Sequence, residues 1–121
     1  VVRQAHAQTL AGIAAERARL VGDARSGRLR QEDMSDATMT LSNLSSFGVD
    51  HFTAMLNPGE SAILAVGRVA ERVVPRGRAI TVVPTLTFSL TVDHRVADGA
   101  AGAAALVELA ELLEGGMTWR T

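Results

Sequence analysis

The chain has no cysteine and no lysine, so all 12 of its basic residues are arginine. Without a thiol, these residues offer no disulfide, no thiolate nucleophile and no cysteine-based metal site. Without a lysine amine they offer no Schiff base to pyridoxal phosphate, no Walker-type phosphate loop and no attachment point for biotin or a lipoyl arm. Any cofactor therefore has to arrive from elsewhere. An excess of one charge is missing too: 12 basic residues face 13 acidic ones, which leaves no electrostatic footprint for nucleic acid. No apolar run is long enough to span a bilayer, and the reading is a soluble globular chain. The N-terminus carries no secretory pattern and starts with Val1, so the chain is expected to begin inside a longer protein.

A length of 121 residues suits one domain, with roughly two-thirds of its unfolded surface buried. Leu10, Ile13, Ala14, Val21 and Ala24 recur at helical spacing, which predicts an amphipathic helix over 4–25 ended by Gly27. Alternation over 37–42 predicts a strand, and 43–53 reads as an irregular connection. Asn57-Pro58-Gly59 is a turn signal. Two long apolar stretches, 61–74 and 79–92, predict two strands joined through Pro75-Arg76-Gly77-Arg78. A final Ala-rich helix over 100–114 carries Leu106, Leu109, Leu112 and Leu113, and Gly115-Gly116 stops it. The sum is an α/β layout of two helices on a sheet of at least three strands. The strands are apolar enough to expect burial on both faces, yet two helices give little cover, so the sheet looks incomplete.

The most chemically loaded stretch is Asp93-His94-Arg95-Val96-Ala97-Asp98-Gly99. It sets one imidazole at the end of a predicted strand and a carboxylate at the start of the last helix. A base placed this way suits proton transfer at neutral pH.

Several motifs, in one order, carry a resemblance that covers most of the chain. They are Asp93 to Ala100, Thr40-Leu41-Ser42-Asn43-Leu44 followed by Phe47-Gly48, Phe52-Thr53 leading to Asn57-Pro58, and Ser61 to Arg68. Residues 27–34 resemble the segment that precedes the serine motif. Together they resemble the catalytic domain of 2-oxoacid dehydrogenase acyltransferases, the dihydrolipoamide acyltransferase (E2) components. The resemblance implies a two-layer α/β sandwich of the chloramphenicol-acetyltransferase-like, coenzyme A-dependent acyltransferase fold. Residues 1–121 would then be the C-terminal part of one catalytic domain, without its N-terminal half and without a lipoyl or subunit-binding domain. Arg76-Gly77-Arg78 and the tail over 116–121 depart from the family's pattern.

The resemblance implies transfer of an acyl group between the thiols of dihydrolipoamide and coenzyme A, with the lipoyl group carried on a domain outside this chain and no metal. His94 would be the general base, with its second ring nitrogen tied to a backbone carbonyl. Ser42 would donate to the tetrahedral oxyanion, unless it merely bonds its own strand-end backbone. Asp98 would cap the last helix and orient the His94 loop, the latter through an arginine, either adjacent Arg95 or one from outside the chain. A homotrimer with its site between subunits would be the minimum active unit, building a cubic or icosahedral core. E1 and E3 would join through domains not present here, with no nucleic acid or membrane partner. A bacterial cytoplasm, or a mitochondrial matrix, would be the location. The Ser42-Asn43-Leu44 context leans away from succinyl, and acetyl and branched-chain acyl groups stay equally open.

The remaining candidates are weaker. His6 on the first helix and His51 beside Asp50 read as solvated histidines, and three scattered histidines make no zinc site. Arg72, Arg76 and Arg78 either meet coenzyme A phosphates or form a solvated basic turn. Asp50-His51-Phe52 is a candidate for lining the substrate channel. Two other functions compete. A hydrolase would use Ser42, His94 and Asp98 but lacks the Gly-x-Ser-x-Gly elbow. A non-catalytic core subunit would keep the assembly and dispense with His94.

Overall fold

A computed structural model describes residues 1–115, and the predicted stop at Gly116 and the tail lie outside them. The described residues divide into two compact units, 1–37 with 110–115, and Thr38–Leu109. In the first unit a short 3-10 turn, Ala5–Ala7, precedes helix α1, Leu10–Arg25. The helix starts later than its apolar spacing predicts because Thr9 is its N-cap: the hydroxyl accepts from the Gly12 amide at 3.1 Å. Gly27, at φ +68°, takes the left-handed conformation that ends it. Helix α2, Gln31–Met34, follows and carries the buried Asp33. That carboxylate accepts from Arg30 and from Arg19 of α1, at 3.1 and 3.0 Å. Arg30 first and Arg19 second hold it well below the usual carboxylate range.

The second unit is built on strand β2, Ala62–Val66, which pairs parallel with β1, Met39–Asn43, and antiparallel with β5, Phe88–Val92. Its Ile63, Leu64 and Ala65 are 5%, 9% and 1% exposed, so both faces of β2 are buried. The cover differs between faces. Leu64, Leu90 and Val92 share one face, where helix α3, Gly99–Glu114, approaches so closely that a Cβ on Gly102 would lie 3.7 Å from Val92. On the other face Thr40, Ser42, Ser89 and Thr91 flank Ile63 and Ala65. An irregular segment crosses this hydroxyl-rich face. Thr91 donates to the Ala54 carbonyl at 2.9 Å, and Asn57 donates to the Thr40 hydroxyl at 3.0 Å.

The two long strands predicted from apolar content are each broken. Residues 61–74 form β2 and then β3, Ala70–Arg76, while 79–92 form β4, Ala79–Thr85, and then β5. β3 and β4 make a separate two-stranded ribbon closed by the two-residue turn Gly77-Arg78, with Gly77 at φ +62°. Expected burial on both faces fails here, since Val73, Ile80 and Val82 are 68%, 80% and 57% exposed. The first break has a steric cause. Gly67 lies where the chain after β2 passes under the Asp50 carbonyl, and a Cβ there would come within 1.9 Å of that oxygen. Arg68 then donates to the Val49 carbonyl at 2.8 Å and pairs with the Asp50 carboxylate.

Gly67→Ala in the complete catalytic domain should therefore cost about 2–3 kcal/mol, because the obstructing atom is backbone. Gly22→Ala, inside α1 with open space at its Cβ, should instead stabilise by up to about 1 kcal/mol. Thermal unfolding of both variants checks the pair; equal effects would contradict the steric reading of Gly67.

Candidate active site

Ser42 lies on β1, one residue before its end, on the hydroxyl-rich face. It is half-buried. Among the described residues its hydroxyl makes no hydrogen bond, and the expected alternative of a serine bonding its own backbone is not what the geometry shows. The neighbouring Ser45 amide is instead taken by the Asn43 side chain at 2.9 Å.

His94 follows β5 in a tight turn and is exposed. The turn hangs on Asp93. The Asp93 amide extends the sheet by donating to the Ser61 carbonyl at 2.9 Å, and its own carbonyl accepts from Val96 and Ala97 at 2.8 and 3.0 Å. Its carboxylate accepts from the Arg95 amide at 2.9 Å and grips the Arg95 guanidinium at 2.6 to 3.1 Å. Hydrogen bonds from the Arg95 guanidinium, then its amide, pull the Asp93 carboxyl down to about 2. It thus stays ionised throughout the pH range in which an imidazole titrates. Sequence reasoning passed over Asp93; the signal available was an Asp two residues before an Arg at a strand end, the pattern of an Asx turn.

Asp98 accepts from the Ala101 amide at 2.8 Å and is the N-cap of α3. The expected link from Asp98 to Arg95 is not made, because Arg95 is held by Asp93. Nor, among the described residues, is the His94 ring tied to a backbone carbonyl.

The register decides which of these groups can meet. Ser42 is level with Ala65 and Ser89, whereas Met39, Ala62 and Val92 are level at the other end, where the chain leads to His94. Five residue steps along the sheet and two strand spacings across it put Ser42 and His94 roughly 15–20 Å apart within one chain. That is far beyond hydrogen-bond reach.

The other candidates are dispersed. His6 lies in the 3-10 turn rather than on a long helix, and His51 is exposed beside an Asp50 already paired with Arg68. Arg72, Arg76 and Arg78 stand exposed on the ribbon. Phe52, Ala54 and Leu56 are the half-buried alternate residues of the segment that covers the Ser42 face. Among the described residues no group of three potential ligands is placed to hold a metal ion.

Comparison with known proteins places this geometry. Residues 1–119 match the family model described as 2-oxoacid dehydrogenases acyltransferase (catalytic domain). The mitochondrial dihydrolipoyllysine-residue acetyltransferase component of the pyruvate dehydrogenase complex of Caenorhabditis elegans is 40% identical over 116 residues, covering 94% of this chain and 23% of that protein. The cubic core of the pyruvate dehydrogenase multienzyme complex superposes with a TM-score of 0.84 at 38% identity, over 88% of this chain and 44% of that one. Azotobacter vinelandii dihydrolipoamide acetyltransferase superposes equally well, with a TM-score of 0.84 at 39% identity and the same coverage. A serine, a histidine and an asparagine have been studied in that enzyme's catalytic mechanism, and they are spaced 52 and 4 residues apart, as Ser42, His94 and Asp98 are here. The chain thus spans about a quarter of the full-length relative and under half of the solved cores. Its α/β fold is that of these acyltransferase cores, as the sequence resemblance implies. From the family match over nearly its whole length and the shared fold, the chain belongs to the catalytic-domain family of the 2-oxoacid dehydrogenase acyltransferases.

Proposed function

We propose that this chain forms part of the acyltransferase core of a 2-oxoacid dehydrogenase complex, moving an acetyl or branched-chain acyl group from dihydrolipoamide to coenzyme A. The observation that carries this reading is the placement of Ser42 and His94 toward opposite ends of one sheet, Ser42 half-buried and His94 exposed, neither reaching the other. Such an arrangement suits a site completed by a neighbouring copy, with His94 from one subunit and Ser42 from the next, as a closed threefold ring allows. The shared spacing with the Azotobacter enzyme supports the choice of residues, and the cubic core among the similar structures supports trimers that build a larger shell. E1 and E3 components would join through other domains. The relatives include mitochondrial and bacterial proteins, and a bacterial cytoplasm is the location we favour.

In the proposed reaction the coenzyme A thiol gives its proton to an imidazole nitrogen of His94 as its sulfur attacks the thioester carbonyl carbon. The carbonyl electron pair moves to oxygen, and the Ser42 hydroxyl donates to that oxyanion. Collapse of the intermediate expels the dihydrolipoamide sulfur, which takes the proton back from the imidazolium. A free thiol is only a few per cent ionised at neutral pH, so the base is where most of the gain lies. Asp98 is assigned to the turn and the helix cap rather than to proton transfer. An asparagine at the matching spacing fits this assignment, because asparagine caps as well as aspartate. A hydrolase with a Ser42, His94 and Asp98 triad fits poorly, given the separation within a chain.

In the complete enzyme, His94→Ala should lower kcat for transfer to coenzyme A by about 10²- to 10⁴-fold, and Ser42→Ala by about 10²- to 10³-fold. Asp98→Asn should stay within about threefold of the parent, while Asp98→Ala should lose about 1 kcal/mol of stability with the cap. Steady-state kinetics and thermal unfolding read these out. An unchanged rate in His94→Ala would remove His94 as the base, and absence of transfer in the parent enzyme itself would establish the non-catalytic core subunit instead.

A further inference from the structure

Asp93 makes more interactions than any other residue near the proposed base, and the acyl-transfer chemistry above uses none of them. We infer that Asp93 is a positioning residue for His94: its Asx turn and its grip on Arg95 fix the backbone on both sides of the imidazole. The inference rests on the reading of His94 as the base.

His94 stands between Asp93 and Arg95, and the hydrogen bond from the Arg95 amide to the Asp93 carboxylate closes a small ring through the His94 backbone. Two further bonds onto the Asp93 carbonyl, from Val96 and Ala97, close the next turns over the same residue. Upstream, the Asp93 amide is fixed to the Ser61 carbonyl of the sheet. Downstream, Asp98 caps α3. Residue 94 is therefore the link between two rigid elements, and its Cα–Cβ direction is set by bonds that its neighbour makes.

Stability alone is a poor reason for the Asp93 to Arg95 pair. Arg95 is 86% exposed although the Asp93 side chain is only 14% exposed, and a pair with one partner so open to solvent contributes modestly to folding. Its effect lies in conformation, since the guanidinium lies back on the carboxylate that already receives the Arg95 amide. A displacement of the base of about 1 Å is enough to cost up to about 100-fold in rate.

The test separates aiming of a base from general damage by changing the acceptor. Transfer to coenzyme A, whose thiol is mostly protonated at neutral pH, needs a base. Transfer to an aromatic thiol that is already a thiolate does not. In the complete acyltransferase, Asp93→Ala should lose about 10- to 100-fold in kcat with coenzyme A, with KM within about twofold, and less than about threefold with the aromatic thiol. His94→Ala should show the same selectivity with a larger loss. Asp93→Asn keeps an acceptor for the Arg95 amide and should lose only about three- to tenfold, again confined to coenzyme A; it carries the comparison if Asp93→Ala does not assemble. A parent-like rate for the Asp93 variants, or equal losses with both thiols, would overturn the positioning role. Equal losses with both thiols in His94→Ala would instead remove the base reading on which it stands.

Discussion

The pairing of β2 with both its neighbours is the constraint on which the rest of the second unit depends. β2 runs parallel to β1 and antiparallel to β5, and its three central residues are the best buried apolar side chains among the described residues. Because side chains alternate along a strand, a shift of one residue in either pairing would exchange the helix-covered and hydroxyl-bearing faces. The register thus does two things at once. It puts the Ser42 hydroxyl on the face that α3 leaves free, and it leads the chain to His94 at the far end of the sheet.

From that register follows the division of labour among the site residues. Within one chain His94 and Ser42 are too far apart to act on one carbonyl, so a site using both has to be shared between copies. Asp98, which looks in the sequence like a local partner of His94, serves the helix. Asp93, which looks like part of the strand, holds the turn. The carboxylate nearer in the chain is the one that shapes the backbone around the imidazole, and the one four residues on is the cap.

How much of this was legible beforehand depends on the kind of signal. The helix ends could be read where a glycine or a cap enforced them, as at Gly27 and Asp98. The start of α1 was misplaced because apolar spacing extends past a cap, whereas the Thr9 hydroxyl halts the helix at Leu10. The strands were found but run together. Apolar residues dominate 61–74 and 79–92 despite Arg68, Glu71 and Arg72, and what breaks the first stretch is a close backbone approach at Gly67, a tertiary fact whose trace in the sequence is a glycine. The expected burial of the ribbon failed for a related reason, since Val73, Ile80 and Val82 have the composition of buried strand residues without a covering layer among the residues present. Motif resemblance points to Ser42 and His94 as candidates and implies a site between subunits; their separation within one chain follows from strand register, which residue types do not display. The role of Asp93 is made by hydrogen bonds from backbone amides and the Arg95 guanidinium, and an Asp at a strand end two residues before an Arg is a weak sign of the turn that brings them together.

The central claim, that His94 and Ser42 complete one site from different subunits, is tested most directly by subunit mixing. Complete His94→Ala and Ser42→Ala enzymes, each inactive alone, are dissociated, combined in equal amounts and reassembled. In every mixed trimer one of the three interfaces then joins an intact His94 to an intact Ser42, so random mixing should restore about a quarter of the parent activity. No recovery above the two separate variants, with mixed trimers demonstrated, would contradict the shared site.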